Sequence, residues 1–304
     1  MRALLVVNPK ATATTRGARD VLAHALASEL KLDVVLTEAR GHASSLARQA
    51  VDDGLDVVVA LGGDGTVNEV VNGLLHAGPA AGLPALAVVP GGNANVFARA
   101  LGLPASPVEA TSQLLEALAT GRRRTIGLGL AGQRWFTFCA GMGLDAAVVR
   151  RVEAKRARGA AATPGLYVRQ GLKQFFLSER DVRMLAHPEV GEPTPIGMAL
   201  VCNTRPWTYL GPRPVVPCPD AAFETGLDLF ALRSLGTAST LRHLRQILSS
   251  RPRPRGRAVL SLHDQDGFRL TSSVPTPLQV DGDDLGDVTE VVFRSVPQAL
   301  DVVA

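Results

Sequence analysis

Five consecutive residues, Gly62, Gly63, Asp64, Gly65 and Thr66, follow an apolar run at 57–61 and lead into an amphipathic stretch. A strand that turns into a helix over so many glycines suits phosphate. The backbone can turn tightly, and its N–H groups and the positive helix end point at whatever sits above the loop. Thr66 and Glu69 have the spacing of a capping box, which would start the helix at Thr66. Asp64 among these donors would repel a bare phosphate, so a divalent cation is expected to arrive with the nucleotide. The expected ligands are ATP and Mg2+, with Asp64 on the metal. Glycine-rich turns of this kind also serve only to pack a helix closely on a sheet, so the loops elsewhere in the chain carry weight.

Two such loops occur. Residues 3–7 form a short apolar strand that runs into Asn8, Pro9 and Lys10, with a helix expected at 18–30. Residues 86–89 enter Pro90-Gly91-Gly92-Asn93-Ala94-Asn95, and a helix should begin near Val96. In a parallel sheet, loops that follow strands meet at one carboxyl edge, where open α/β sheets bind ligands. None of Lys10, Lys31, Lys155 or Lys173 stands in a Gly-Lys-Ser/Thr sequence, so phosphate would be held by backbone amides and arginine. Residues 127–132 match the Gly-x-Gly-x-x-Gly dinucleotide pattern but lack a following helix, and a hairpin is predicted there instead.

Phosphoryl transfer also needs a base for the acceptor hydroxyl. The late tripeptide Asp281-Gly282-Asp283 is the candidate, because a glycine between two carboxylates lets a tight turn direct one of them; taken alone the tripeptide reads rather as a solvated hairpin turn, and its place in the order of motifs is what favours the base.

The elements that must position these residues follow from periodicity. Up to residue 124, short apolar strands alternate with amphipathic helices, including 43–53 and 108–119, the pattern of a doubly wound parallel sheet. From 125 onward, strand-like runs at 126–130, 135–138, 196–202, 227–232, 258–262, 268–270 and 288–293 predict a β-rich, sandwich-like second domain over 125–298. The 304 residues are enough for two domains. No apolar run approaches the roughly 20 residues that cross a bilayer, so a cytoplasmic protein is expected. Cys139, Cys202 and Cys218 read as buried thiols. Arginine dominates the positive charge in two clusters: Arg150, Arg151, Lys155, Arg156 and Arg158, continuing past Tyr167, Arg169, Lys173, Phe175 and Phe176, and then 242–257. Basic residues beside exposed aromatics suit peripheral contact with the anionic inner membrane face, a solvated helical face being the other reading. No recognition motif points to nucleic acid.

The order of these motifs resembles the diacylglycerol kinase catalytic-domain family, which includes bacterial lipid kinases and the sphingosine kinases. The likeness rests on Asn8-Pro9, on residues 62–66 with Asn68-Glu69 and Asn72-Gly73, and on residues 90–95 with Phe97-Ala98-Arg99. Further along it rests on residues 140–146 and on 279–283. The resemblance implies an ATP-dependent kinase acting on a lipid hydroxyl such as that of diacylglycerol. Its two domains would flank an active-site cleft, with residues 299–304 returning to the first domain. It places Asn8, Thr37, Gly62, Gly63, Asp64, Gly65, Thr66, Glu69, Gly92, Asn93 and Asn95 at the nucleotide. The proton acceptor falls at Asp283, where relatives usually carry Glu, so the base stays open between Asp283 and Asp281. Two other departures stand out. Val96 replaces a frequent Asp, and Thr225-Gly226 replaces the Asp-Gly pair of an accessory magnesium site. An NAD kinase-like enzyme acting on a soluble ribose, or a non-catalytic lipid- or nucleotide-binding protein, would share part of this pattern.

Overall fold

The structure, a computed structural model, describes residues 1–11, 16–156 and 184–304. The chain divides into two compact units, Met1–Gly127 with Gln298–Ala304, and Leu128–Pro297.

The first unit is built on a parallel sheet of β1 (Arg2–Val7), β2 (Lys31–Leu36), β3 (Val57–Gly62) and β4 (Ala85–Pro90), in the order β4-β3-β1-β2. Every residue of β3 and β4 is buried, as expected of strands covered on both faces. Helices α1 (Arg16–Ala27), α2 (His42–Asp52), α3 (Asp64–Leu74), α4 (Val96–Ala100) and α5 (Pro107–Thr120) complete it. From β1 the chain steps outward to β2, then crosses back over β1 to β3. Right-handed crossovers therefore put α1 on one face and α2 and α3 on the other, and α2 indeed packs on α3 while α1 packs on α5. The reversal makes the crevice between the ends of β1 and β3 a topological switch point, the place where such sheets take ligands. Helix α5 begins as its sequence dictates, with Ser106 accepting from Glu109 N and Pro107 opening the helix, and it stops at Gly121 in the left-handed region.

The second unit is antiparallel and β-rich. Its strands are β5 (Arg124–Ala131, whose start up to Gly127 belongs to the first unit), β6 (Arg134–Phe136), β7 (Cys139–Gly143), β8 (Met184–Pro188), β9 (Thr194–Ile196), β10 (Met198–Cys202), β11 (Thr208–Leu210), β12 (Arg213–Val215), β13 (Leu227–Leu232), β14 (Val259–Gln265), β15 (Gly267–Val280) and β16 (Asp283–Val302, whose end from Gln298 belongs to the first unit). The main order is β14-β13-β10-β7-β15-β16. Helix α6 (Leu144–Arg156) follows β7, and α7 (Thr237–Ile247) lies between β13 and β14. Alternation along β10 splits the interior: Ala199 and Val201 face a core holding Phe136, Phe268 and Phe293, while Met198, Leu200 and Cys202 face another closed by Phe230 and Ile247.

The α/β and β-rich halves are thus those expected. Residues 127–132 open the β5–β6 hairpin, Ala131 pairing with Arg134. All three cysteines are buried and free. The last two strands run much longer than 268–270 and 288–293, because β15 and β16 pair with each other over most of their length. The end of β16 lies parallel to β4, with Val302 opposite Leu86.

Candidate active site

The three loops at the carboxyl edge of the parallel sheet interlock. Asn8, just past β1, donates from Nδ2 to Thr66 Oγ1 at 3.0 Å and from its backbone N to Leu61 O at 3.0 Å. Its Oδ1 accepts from Lys10 N, which folds the start of the first loop into an Asx turn. Gly91 N donates to Gly62 O at 2.7 Å. A Cβ on Gly63 would stand 3.3 Å from Gly92 Cα, and one on Gly92 only 2.7 Å from Gly63 Cα. These glycines are needed for backbone-to-backbone contact rather than for an unusual φ, since Gly63 itself is extended at φ −89°. Thr37 N donates to Val7 O at 2.8 Å, which sets the end of β2 beside β1.

Helix α3 begins three residues earlier than the capping-box spacing predicts, with Gly63 rather than Thr66 at its N-cap. Gly63 is its N-cap with no side-chain acceptor, and Asp64, Gly65 and Thr66 form its first turn. The predicted box is replaced by tertiary partners: Thr66 is taken by Asn8, and Glu69 Oε1 and Oε2 accept from Gly41 N (2.8 Å) and Ala43 N (3.2 Å). Glu69, expected at the nucleotide, thus caps the start of α2. Close packing makes this possible: a Cβ on Gly73 would lie 2.3 Å from Ser44 O, so α2 and α3 touch through glycine.

Asp64 Oδ1 accepts from Phe97 N at 3.1 Å and ties the first turn of α3 to that of α4. Asn95, at φ 46°, closes on Gly92 from both sides: Nδ2 donates to Gly92 O and Oδ1 accepts from Gly92 N, each at 2.8 Å. Its amide therefore shapes the loop rather than reaching out of it. Asn93 sits exposed at the tip. Gly62, Gly63, Thr66, Gly92, Asn8 and Asp64 come together at the switch point; Glu69 does not.

In the second unit, Asp281 and Gly282 form a two-residue turn between β15 and β16, with φ of 48° and 85° and Val280 opposite Asp283. Asp-Gly is the preferred pair for such a turn. The turn is not a solvated one, however. Asp281 is 5% exposed and accepts four bonds: from Thr137 N (2.7 Å) and Thr137 Oγ1 (2.9 Å) at Oδ2, and from Phe138 N and Cys139 N (both 3.1 Å) at Oδ1. This carboxylate anchors the turn, which counts against its role as a base. Asp283 opens β16, half-buried. Asp284 takes the Arg150 guanidinium in a two-pronged pair (2.8 and 3.1 Å), and Asp287 takes it at 2.7 Å. Arg150 is therefore neutralised within the fold, contrary to its expected place in a membrane-facing cluster. The rest of that cluster from Arg158 to Phe176 lies outside the described residues.

A device that the sequence reading missed supports the same turn. Gln279 Nε2 donates to Asp145 Oδ2 at 2.7 Å, and its Oε1 accepts from Gly282 N at 2.9 Å. Asp145, in the first turn of α6, is buried deeply enough that its carboxyl is pushed up to about 7 by desolvation, only partly offset by the Gln279 bond. The signal was a Gln within the apolar end of β15. Thr225 Oγ1 donates to Ala222 O and accepts from Ala222 N, so this hydroxyl closes its own loop.

Residues 2–130 match the diacylglycerol kinase catalytic domain, nearly the whole of the first unit. Over this segment, less than half of the chain, the protein is similar to the diacylglycerol kinase catalytic-domain family. A probable lipid kinase YegS-like protein of Xanthomonas euvesicatoria is 47% identical over 91 residues, 30% of this chain and 29% of that one. One from Chromohalobacter salexigens is 41% identical over 133 residues (43% and 41%), and the diacylglycerol kinase of Bacillus subtilis 38% over 107 residues (35% and 33%). The matched stretches thus span between 29% and 41% of these relatives' length. Among solved structures, a diacylglycerol kinase from Bacillus anthracis superposes with a TM-score of 0.73 at 18% identity, covering 99% of this chain and 96% of that one. An NAD kinase from Archaeoglobus fulgidus in complex with ATP gives 0.52 at 12% identity, covering 100% and 94%. Both are likenesses of fold.

Proposed function

We propose that the protein is an ATP-dependent lipid kinase that transfers the γ-phosphate to a lipid hydroxyl such as that of diacylglycerol. The observation that carries this reading is the interlocked trio of loops at the switch point of a diacylglycerol kinase-type domain. Its glycines let the loop backbones come into contact at the start of α3, whose N-terminal end suits a phosphate. Asp64 fits Mg2+. Among the described residues no group of three or more His, Cys, Asp or Glu gathers to cage a metal, and Mg2+ is commonly held by one or two carboxylates with phosphate oxygens and water. When bound it would relieve the charge that builds on the phosphates during transfer.

The chain's own residues do the rest. Backbone amides at 63–65 and 93–95 are the donors for the phosphates, those of Thr66, Gly91 and Gly92 being taken within the fold, and holding the phosphates so converts part of the barrier into binding already made. The base is assigned to Asp283, since Asp281 already accepts from four donors within the fold. Asp283 takes the proton from the lipid hydroxyl as its oxygen attacks the γ-phosphorus, and the P–O bond to ADP breaks. Incubation of the purified protein with γ-labelled ATP, Mg2+ and either a cellular lipid extract or NAD tests this. Label in the organic phase supports it. Label on the dinucleotide would favour the NAD kinase reading, and nucleotide binding without transfer to any acceptor would favour a binding protein.

A further inference from the structure

We propose that α7 and the loop after it form a docking surface for an anionic lipid bilayer. From residue 229 to residue 263 the chain carries seven arginines and no Asp or Glu. Folding gathers them. On α7, His243 and Ile247 point inward, while Leu241 (55% exposed) and Leu244 (45%) point out, with Arg242 and Arg245 exposed beside the two leucines. On a 3.6-residue helix these four fall on one side, opposite the buried pair. The loop Arg251-Pro252-Arg253-Pro254-Arg255-Gly256-Arg257 exposes every arginine and half-buries both prolines, as an extended segment with alternating faces does.

The loop is held against the helix. Gln246 uses both ends of its amide on Arg255, Nε2 donating to Arg255 O and Oε1 accepting from Arg255 N, each at 3.2 Å. His243 Nδ1 shares that same Gln246 oxygen at 2.9 Å, and Gly256 rests over the His243 ring. Helix and loop thus present one fixed basic surface with leucines in it.

A bilayer matches both chemistries. Arginines meet anionic headgroups while leucines enter the acyl boundary, the division of labour of interfacial helices. Nucleic acid would use the charges but leave the leucines in water, and no Phe, Tyr or Trp lies between 231 and 263 to stack a base. The inference does not depend on catalysis, because binding to a membrane needs no phosphoryl transfer.

Vesicle sedimentation tests it. Phosphatidylglycerol–phosphatidylcholine vesicles should pellet the protein at low salt and pure phosphatidylcholine vesicles should not. At roughly fivefold per charge near the surface, Arg251→Gln/Arg253→Gln/Arg255→Gln should weaken partitioning about a hundredfold. Leu241→Gln/Leu244→Gln, at positions already facing water, should weaken it too, and the arginine effect should fade with salt while the leucine effect persists. Far-ultraviolet circular dichroism and melting verify that each variant folds. The proposal is overturned if the anionic vesicles leave the protein in solution, if both variants partition as the wild type does, or if duplex DNA binds and vesicles do not.

Discussion

Asp145 offers a sharp test of how the hairpin carrying the late carboxylates is held. Its carboxyl is buried and held at about 7, well above the ordinary aspartate range. The folded state therefore keeps a proton that the unfolded chain releases. Stability from this group is greatest at low pH, falls as pH rises from the unfolded value through about 7, and is level beyond that. At about 1.4 kcal/mol per pH unit the full loss is about 4 kcal/mol, of which roughly 2 kcal/mol falls between about pH 5.5 and about pH 8.5. Asp145→Asn keeps an oxygen for Gln279 Nε2 and removes the charge. Urea unfolding of both proteins at the two pH values gives four stabilities. The gain of the variant over the wild type should be about 2 kcal/mol larger at the higher pH, and comparing the two cancels any fixed cost of the new amide. An equal difference at both pH values would refute the assignment of a buried, high-pKa carboxyl to this position.

Other outcomes follow from the first unit and from the turn itself. Asp64→Asn keeps an acceptor for Phe97 N and should fold normally while losing turnover by orders of magnitude; Asp64→Ala should also lower the melting temperature, because the tie to α4 goes with it. Wild-type turnover in Asp64→Asn would remove this residue from the metal. Asp283→Asn should abolish single-turnover transfer with melting unchanged, whereas Asp281→Ala should cost at least about 3 kcal/mol by stranding buried N–H groups. The reverse pattern would place the base at Asp281. Gly92→Ala puts a methyl into Gly63, so a fluorescent ATP analogue should bind at least about fivefold more weakly, the weakening expected from about 1–3 kcal/mol of overpacking; unchanged affinity would separate these loops from the nucleotide. Glu69→Gln should leave nucleotide affinity alone and loosen α2, seen as faster amide exchange at Gly41 and Ala43.

Local pattern carried much of the architecture. Strands β1, β3 and β4 announce themselves as apolar runs ending in Asn, Gly or Pro, and the loops after them meet because parallel strands bring like ends together. What local pattern could not carry was competition from distant partners. Thr66 and Glu69 satisfy a capping box by spacing, yet Asn8, 58 residues away, takes one and the start of α2 takes the other. Asp281 and Asp283 look interchangeable in a tripeptide. Only the pairing of β15 with β16 and the N–H groups at 137–139 turn one inward. Arg150 looked like surface charge for the same reason, its carboxylate partners lying 134 and 137 positions later.

The contact between Gly63 and Gly92 has a thermodynamic corollary. Loops in backbone contact cannot be ordered one at a time, so most of the entropy of shaping this pair of loops is lost when the sheet folds, before any ligand arrives. Calorimetric titration with a nucleotide should then show a heat-capacity change no larger than the buried contact itself requires, without the surplus that accompanies a coil-to-ordered transition.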